Sequence, residues 1–197
     1  MDPENLLLIF IKNPIAGNVK TRLAKDVGNE KALEYYKKLL KITREESTKI
    51  KATKWLCYGD FINTEDDWSE KIFEKKLQEP GDLGERMLAF FESGFEKGFK
   101  RIVIIGSDCP ELESSDLEEA FNILEDSDAV IGPANDGGYY LLGLSKNVNL
   151  FQNKKWSTES VFEDTLNDFK REKLSFGIMK EKVDLDTIED LKKFPNL

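Results

Sequence analysis

The chain has 197 residues, 40% of them hydrophobic and 34% charged, which is enough for one domain with a sizeable core and hardly for two. Its 29 lysines and arginines against 38 aspartates and glutamates leave a formal charge of −9, which argues against broad binding to nucleic acid or to an anionic membrane. The chain contains no histidine, so a Ser-His-Asp triad, a Cys-His pair and a His-ligated zinc are excluded, and chemistry must rest on carboxylates, lysines, arginines, backbone amides or an oxygen-bound cation.

Residues 6–12, LLLIFIK, form a continuous apolar run of strand length, as expected for a strand covered on both faces. Runs of this length are too short to span a bilayer, and the MDPEN start is acidic where a signal peptide is basic. The breakers Asn13-Pro14 and Ala16-Gly17 follow, in the loop KNPIAGNVKTRL (12–23). Lys12, Lys20 and Arg22 are cations around a strand-to-helix turn, where Gly17 allows close backbone approach. They suit a phosphate cradle, since basic groups at a helix start oppose its dipole unless an anion sits there. Solvated surface charge is the alternative. The loop is not a Walker A motif, because Pro14 and Val19 stand where that motif needs glycines.

From Lys20 to about Ser47 the periodicity predicts helix, with Leu33, Tyr36 and Leu40 on one face and a division at Gly28-Asn29. KWLCYG (54–59) reads as a strand, and the polar segment 60–73 is ambiguous. QEPGDLGERM (78–87) opens a further helix. Its glycines, Gly81 and Gly84, fit either a base or ribose lying on the backbone beside Gln78 and Asp82, or a plain Pro-Gly turn.

RIVIIGSD (101–108) is the clearest strand pattern in the chain. Asp108 at its end fits a hard-cation ligand, while turn chemistry before Pro110 explains the same residue on its own. Ser115 and Glu118 have the spacing of a capping box, followed by an amphipathic helix through Leu117, Ala120, Phe121 and Leu124. DAVIGPA and YYLLGL read as strands joined at Asp136-Gly137-Gly138, which is either a hairpin turn or an active-site wall with Asp136 as base. Trp156, in WST, is a packing residue or a platform for a sugar ring. A helix through Val161, Thr165, Leu166 and Phe169 and a strand LSFGIM precede KVDLDTIEDL (182–191). Asp184 and Asp186 share a side if that piece is extended, and Thr187 caps the last helix. Asp186 is thus placed to complete a cation site with Asp108.

The alternation of strands and helices, with no linker or repeat, predicts one domain over residues 1–197 built on a mostly parallel sheet with helices on both faces. In such sheets the crevice lies outside the carboxyl ends of the strands, where all of these loops fall. The two cysteines, Cys57 and Cys109, fit reduced thiols in a cytoplasmic protein.

As an ordered set, K-x-P-x-x-G-x-x-K-T-R-L, Q-x-x-x-G-D-L-G-x-R-M, G-S-D-C-P, G-P-x-x-D-G-G-Y-x-L-x-G-L, W-S-T and D-x-D-T-x-E-D-L resemble the small bacterial nucleotide-diphospho-sugar transferase-like proteins of GT-A fold. That superfamily also holds guanylyltransferases of the molybdenum-cofactor and phospholactate pathways. The resemblance implies a three-layer α/β/α sandwich with a mostly parallel mixed sheet. It also implies a glycosyltransferase moving a sugar from a nucleotide-diphospho-sugar to a small-molecule acceptor, assisted by Mg²⁺ or Mn²⁺. By the same resemblance Lys12, Gly17, Lys20 and Arg22 would hold the phosphates, and Gln78, Gly81 and Asp82 would lie near the base or ribose. Asp108 and Asp186 would bind the cation, while Asp136, Gly137, Gly138 and Trp156 would face the sugar or the acceptor. The chain departs from the glycosyltransferase D-x-D, having Ser107-Asp108-Cys109, and from the full glycine-rich loop of nucleotidylyltransferases. The rival expectations are nucleotidylyl transfer from a nucleoside triphosphate to a phosphorylated small molecule with release of pyrophosphate, and a nucleotide-binding protein without catalysis. A homodimer is compatible with each.

Overall fold

A computed structural model describes residues 4–152, 154–156 and 158–197. Ser157 of the WST motif and the first residues of MDPEN lie outside the described residues. The chain runs β1 (Asn5–Ile11), α1 (Thr21–Val27), α2 (Asn29–Lys49), β2 (Thr53–Tyr58), β3 (Glu74–Leu77), α3 (Leu83–Glu96), β4 (Arg101–Ile105) and α4 (Ser114–Asp126). It continues with β5 (Ala129–Pro133), β6 (Tyr139–Leu144), α5 (Val161–Arg171), β7 (Phe176–Ile178) and α6 (Ile188–Lys192).

The strands form a seven-stranded sheet in the order β3-β2-β1-β4-β6-β5-β7. β1 pairs in parallel with β2 and β4, while β6 runs antiparallel to both β4 and β5. The sheet is therefore mixed, with the β6 direction reversed by the hairpin from β5. Alternation along β1 separates the layers. Leu7, Ile9 and Ile11 pack on one face with Tyr36 and Leu40 of α2 and Leu117 and Phe121 of α4. Leu6 and Leu8 pack on the other face with Met87, Phe90 and Phe91 of α3 and Leu166 and Phe169 of α5. Because both faces are covered, these central strands are apolar throughout, which is why they are legible as unbroken hydrophobic runs.

Beyond β7 the chain makes a parallel bridge from Lys182 to Ala134, which carries it along the carboxyl edge of β5. Leu185 is fully buried with Leu23 and Leu39, so the flanking Asp184 and Asp186 are fixed at that edge.

One expectation needs correction. α4 starts one residue before Ser115, and its box partners are Glu113 and Asp116: the Asp116 carboxylate accepts the Glu113 N–H at 2.7 Å. The turn at 109–112 delivers the chain early, leaving Ser115 inside the first turn. Segment 60–73 is followed by an edge strand, β3, that its polar residues do not announce. The end residues of that strand are exposed, and Lys75 Nζ, donating to Asp66 Oδ1 at 2.8 Å, anchors the irregular segment to it.

Candidate active site

Outside the carboxyl ends of β1, β2 and β4 lies an open cleft of about 1420 Å³. Its polar floor is assembled around Lys20. This residue is not the first of α1, as the sequence pattern suggests, but its N-cap, with left-handed φ 47 and ψ 44. The left-handed region costs a non-glycine residue about 1–2 kcal/mol, so the contacts of the side chain have to hold it there. Its Nζ lies 2.5 Å from Asp108 Oδ1 and 3.1 Å from Asp186 Oδ1, and the side chain is only 3% exposed. Burial alone would lower the affinity of this amine for its proton. The charges of Asp108, Asp186 and Asp184 outweigh burial and hold the ammonium more firmly than usual. Arg22 Nη1 approaches Asp186 Oδ2 at 3.5 Å from a largely exposed position.

Backbone geometry explains how carboxylates so distant in sequence meet. Leu185 N–H donates to the Asp108 carbonyl at 2.9 Å, and Asp184 N–H donates to Asn135 Oδ1 at 3.0 Å. The strand end of β4, the hairpin after β5 and the extended segment 184–186 are thereby stitched together. On the opposite side the Tyr36 hydroxyl accepts from Lys12 N–H at 3.0 Å and lies 3.2 Å from Ser107 Oγ. It couples the first loop to the GSD turn. Burial, reinforced by Asp108, pushes the Tyr36 phenol up to about 12, so it stays a neutral bridge.

The floor brings together Lys12, Lys20, Arg22, Asp108 and Asp186, and it admits Gln78, Asp136, Gly138 and Trp156 along its walls. Gln78 Nε2 is anchored on the Cys57 carbonyl at 2.8 Å, which leaves its carbonyl oxygen near Arg86 Nη1 at 3.5 Å. Asp136 is exposed, its Oδ1 accepting from Gly138 N–H at 2.9 Å. Gly17, Gly81, Asp82 and Gly137 stand apart from the lining. Gly17 and Gly81 serve turns with positive φ, and Asp82 caps α3 by accepting the Glu85 N–H at 2.9 Å. Gly137 turns its Cα hydrogens onto the backbone of Glu159. Trp156 lies in a wall: its indole covers Gly84, where a Cβ would come within 2.5 Å of the ring, and it stacks on Phe151.

Sequence reasoning passed over Asn13 and Asp60 and gave Asp184 no role of its own. Asn13 Nδ2 is held by Asp60 Oδ1 and the Phe61 carbonyl at 2.6 and 2.7 Å, leaving its own oxygen buried without a partner. Asn13 reads as a turn residue, and only its contact with the loop after β2 shows otherwise. Asp184 Oδ1 is likewise buried without a partner. Burial first, then Asp108, raise its carboxyl to about 8. The D-x-D spacing at 184–186 was the signal for it.

Asp184 sets a pH expectation for the protein freed of divalent cations. Its folded-state pKa lies above the ordinary 3.8, so the folded chain holds the proton more tightly than the unfolded chain. Its contribution to stability is complete below the unfolded value and is lost as pH rises towards the folded one. In chelator, the thermal midpoint of the native sequence should fall between about pH 5 and pH 8, and Asp184→Asn should flatten that fall. Equal slopes in the two proteins would remove Asp184 from this role.

Whether a divalent cation suits this floor can be judged from its donors. The oxygen set is hard, Asp184 retains an unused oxygen, and Asp108 and Asp186 converge on one positive charge. Among the described residues no group of three acidic or thiol side chains forms a metal site by itself. That suits a cation such as Mg²⁺, which binds through one or two carboxylates and takes the rest of its oxygens from phosphates and water.

No curated protein matches the chain by sequence. Among solved structures, a candidate nucleotide-diphospho-sugar transferase from Desulfovibrio desulfuricans G20 is 31% identical, with 98% of this chain and 87% of that one covered and a TM-score of 0.90. The 4-diphosphocytidyl-2C-methyl-D-erythritol synthase from Anaerococcus prevotii DSM 20548 shares the fold at 12% identity, covering 97% and 94% of the two chains with a TM-score of 0.62. The inositol-1-phosphate CTP transferase from T. maritima does so at 13% identity, covering 96% and 92% with a TM-score of 0.55. The fold is thus that of the nucleotide-diphospho-sugar transferases, as the ordered motifs suggested. The family model of uncharacterized proteins conserved in bacteria (DUF2064) matches residues 43–158, and the chain belongs to that family.

Proposed function

We propose that the protein is a glycosyltransferase that moves a sugar from a nucleotide-diphospho-sugar to a hydroxyl of a small cytoplasmic acceptor. The observation that carries this reading is the convergence of Asp108 and Asp186 on buried Lys20, in the floor of a cleft that Lys12 and Arg22 also line. A Mg²⁺ or Mn²⁺ ion held there by Asp108 and Asp186, with Asp184 beside them, would supply positive charge against a diphosphate leaving group. Lys20 and Arg22 add charge to the same oxygens, and stabilisation of developing charge by such preorganised groups is commonly the largest catalytic contribution.

The bond from the anomeric carbon to the diphosphate breaks with its electron pair leaving on the nucleoside diphosphate. The acceptor oxygen forms the new bond to that carbon and gives up its proton to Asp136, the exposed carboxylate on the cleft wall. Gln78 and Asn13, just beyond the ends of β3 and β1 in the cleft lining, would meet the nucleoside.

The description of the 31% identical Desulfovibrio protein as a candidate nucleotide-diphospho-sugar transferase favours a nucleotide-diphospho-sugar donor. Incubation with Mn²⁺ and a panel of nucleotide sugars is expected to release nucleoside diphosphate slowly even with water as acceptor. Release of pyrophosphate from a nucleoside triphosphate, requiring a phosphorylated acceptor, would instead establish nucleotidylyl transfer. Tight nucleotide binding without metal and without turnover would leave only a binding protein.

A further inference from the structure

Lys20 occupies the position that a bound cation would contest. Its Nζ is 2.5 Å from Asp108 Oδ1 and 3.1 Å from Asp186 Oδ1, and these are the carboxylates assigned above to the metal. A divalent ion on the same oxygens would face a like charge whose side chain is 3% exposed, where solvent screens little. Arg22, 59% exposed, can swing away from Asp186 into water. Lys20 has no such route into water, because its side chain is only 3% exposed. The ammonium leaves the carboxylates at low cost only if another anion takes their place, and a phosphate entering the cleft is such an anion.

We propose that Lys20 is a positioning residue that keeps a free divalent cation off Asp108 and Asp186 and releases them when a diphosphate arrives, so that metal and nucleotide enter as one unit. The inference rests on the transferase reading above. Metal and nucleotide then bind with positive coupling, and by linkage each tightens the other by the same factor.

The test is a titration of Mn²⁺ into the full chain, following the electron paramagnetic resonance of the free ion, alone and with each of UDP, GDP, CDP and ADP. Binding of Mn²⁺ alone to the native sequence should be weak, and one of the diphosphates should tighten it by about 10–100-fold. Lys20→Met should bind Mn²⁺ alone about tenfold more tightly than the native sequence and lose most of the coupling. Lys20→Arg should keep the coupling, and if Lys20→Met does not fold, the coupling in the native sequence and in Lys20→Arg still decides. Strong binding of Mn²⁺ alone to the native sequence, equal to that of Lys20→Met or without coupling, overturns the role of Lys20 and leaves the cation site standing. No Mn²⁺ binding under any condition overturns the cation site itself, and the role of Lys20 with it.

Discussion

Asp108→Asn is expected to lower nucleotide-sugar turnover by about 10²–10³-fold, the usual cost of removing one preorganised group that meets developing charge. The asparagine preserves shape but removes the negative charge that Lys20 and a cation share. The loss should fall mainly on kcat, because the charge matters most as the leaving group separates. It should also abolish the Mn²⁺-dependent part of the thermal shift produced by a nucleoside diphosphate. Folding should suffer far less, since Lys20 keeps Asp186 at 3.1 Å and Asp108 is partly exposed. An unchanged Mn²⁺-dependent shift in the variant would remove Asp108 from the site.

Gly137→Ala carries the largest expected effect on stability. Gly137 has φ +86, and a Cβ there would stand 2.2 Å from the carbonyl oxygen of Glu159 and within 2.7 Å of two further backbone atoms. Its own carbonyl accepts from Phe162 N–H at 2.9 Å, so the hairpin turn docks directly on the start of α5. Backbone cannot give way as a flexible side chain does. Strain and clash together should cost about 2–4 kcal/mol, which lowers the melting temperature by roughly 4–16 °C for a domain of this size. A melting temperature within about two degrees of the native value would show that the turn and α5 are not packed this way.

How much of this was legible depends on the range of the interactions involved. The buried strands β1 and β4 announce themselves because both sheet faces are covered, and the strand-end position of Asp108 follows directly. Lys20 and Asp186 were recognisable as charged residues at a helix start and a strand end. Their meeting was not, because it depends on Leu185 N–H reaching the Asp108 carbonyl across the sheet edge. Gly137 reads equally well as a ligand-facing glycine, since only the distant Glu159 backbone reveals why a side chain is excluded. The helix cap at Glu113 shows a local limit. Only Ser115 and Glu118 match the usual S-x-x-E pattern, whereas the turn after Pro110 starts the helix earlier, with Glu113 and Asp116 as its box partners.

The edge strand β3 failed for a different reason. With Glu74, Lys75 and Lys76 in a span of four residues, it has no apolar alternation to display. Its register is set by pairing with Trp55 to Tyr58 and by the Lys75–Asp66 contact instead. The partner of Asn13 was hidden similarly, in the irregular segment that β3 holds in place.

The most direct test is anomalous diffraction at the manganese edge, on crystals of the protein grown with Mn²⁺ and the nucleoside diphosphate that stabilises it most. One manganese peak is expected in the cleft, bound by carboxylate oxygens of Asp108 and Asp186 and by phosphate oxygens, with Lys20 turned towards the phosphates. A nucleotide bound in the cleft with Lys20 still on both carboxylates and no manganese between them would contradict it.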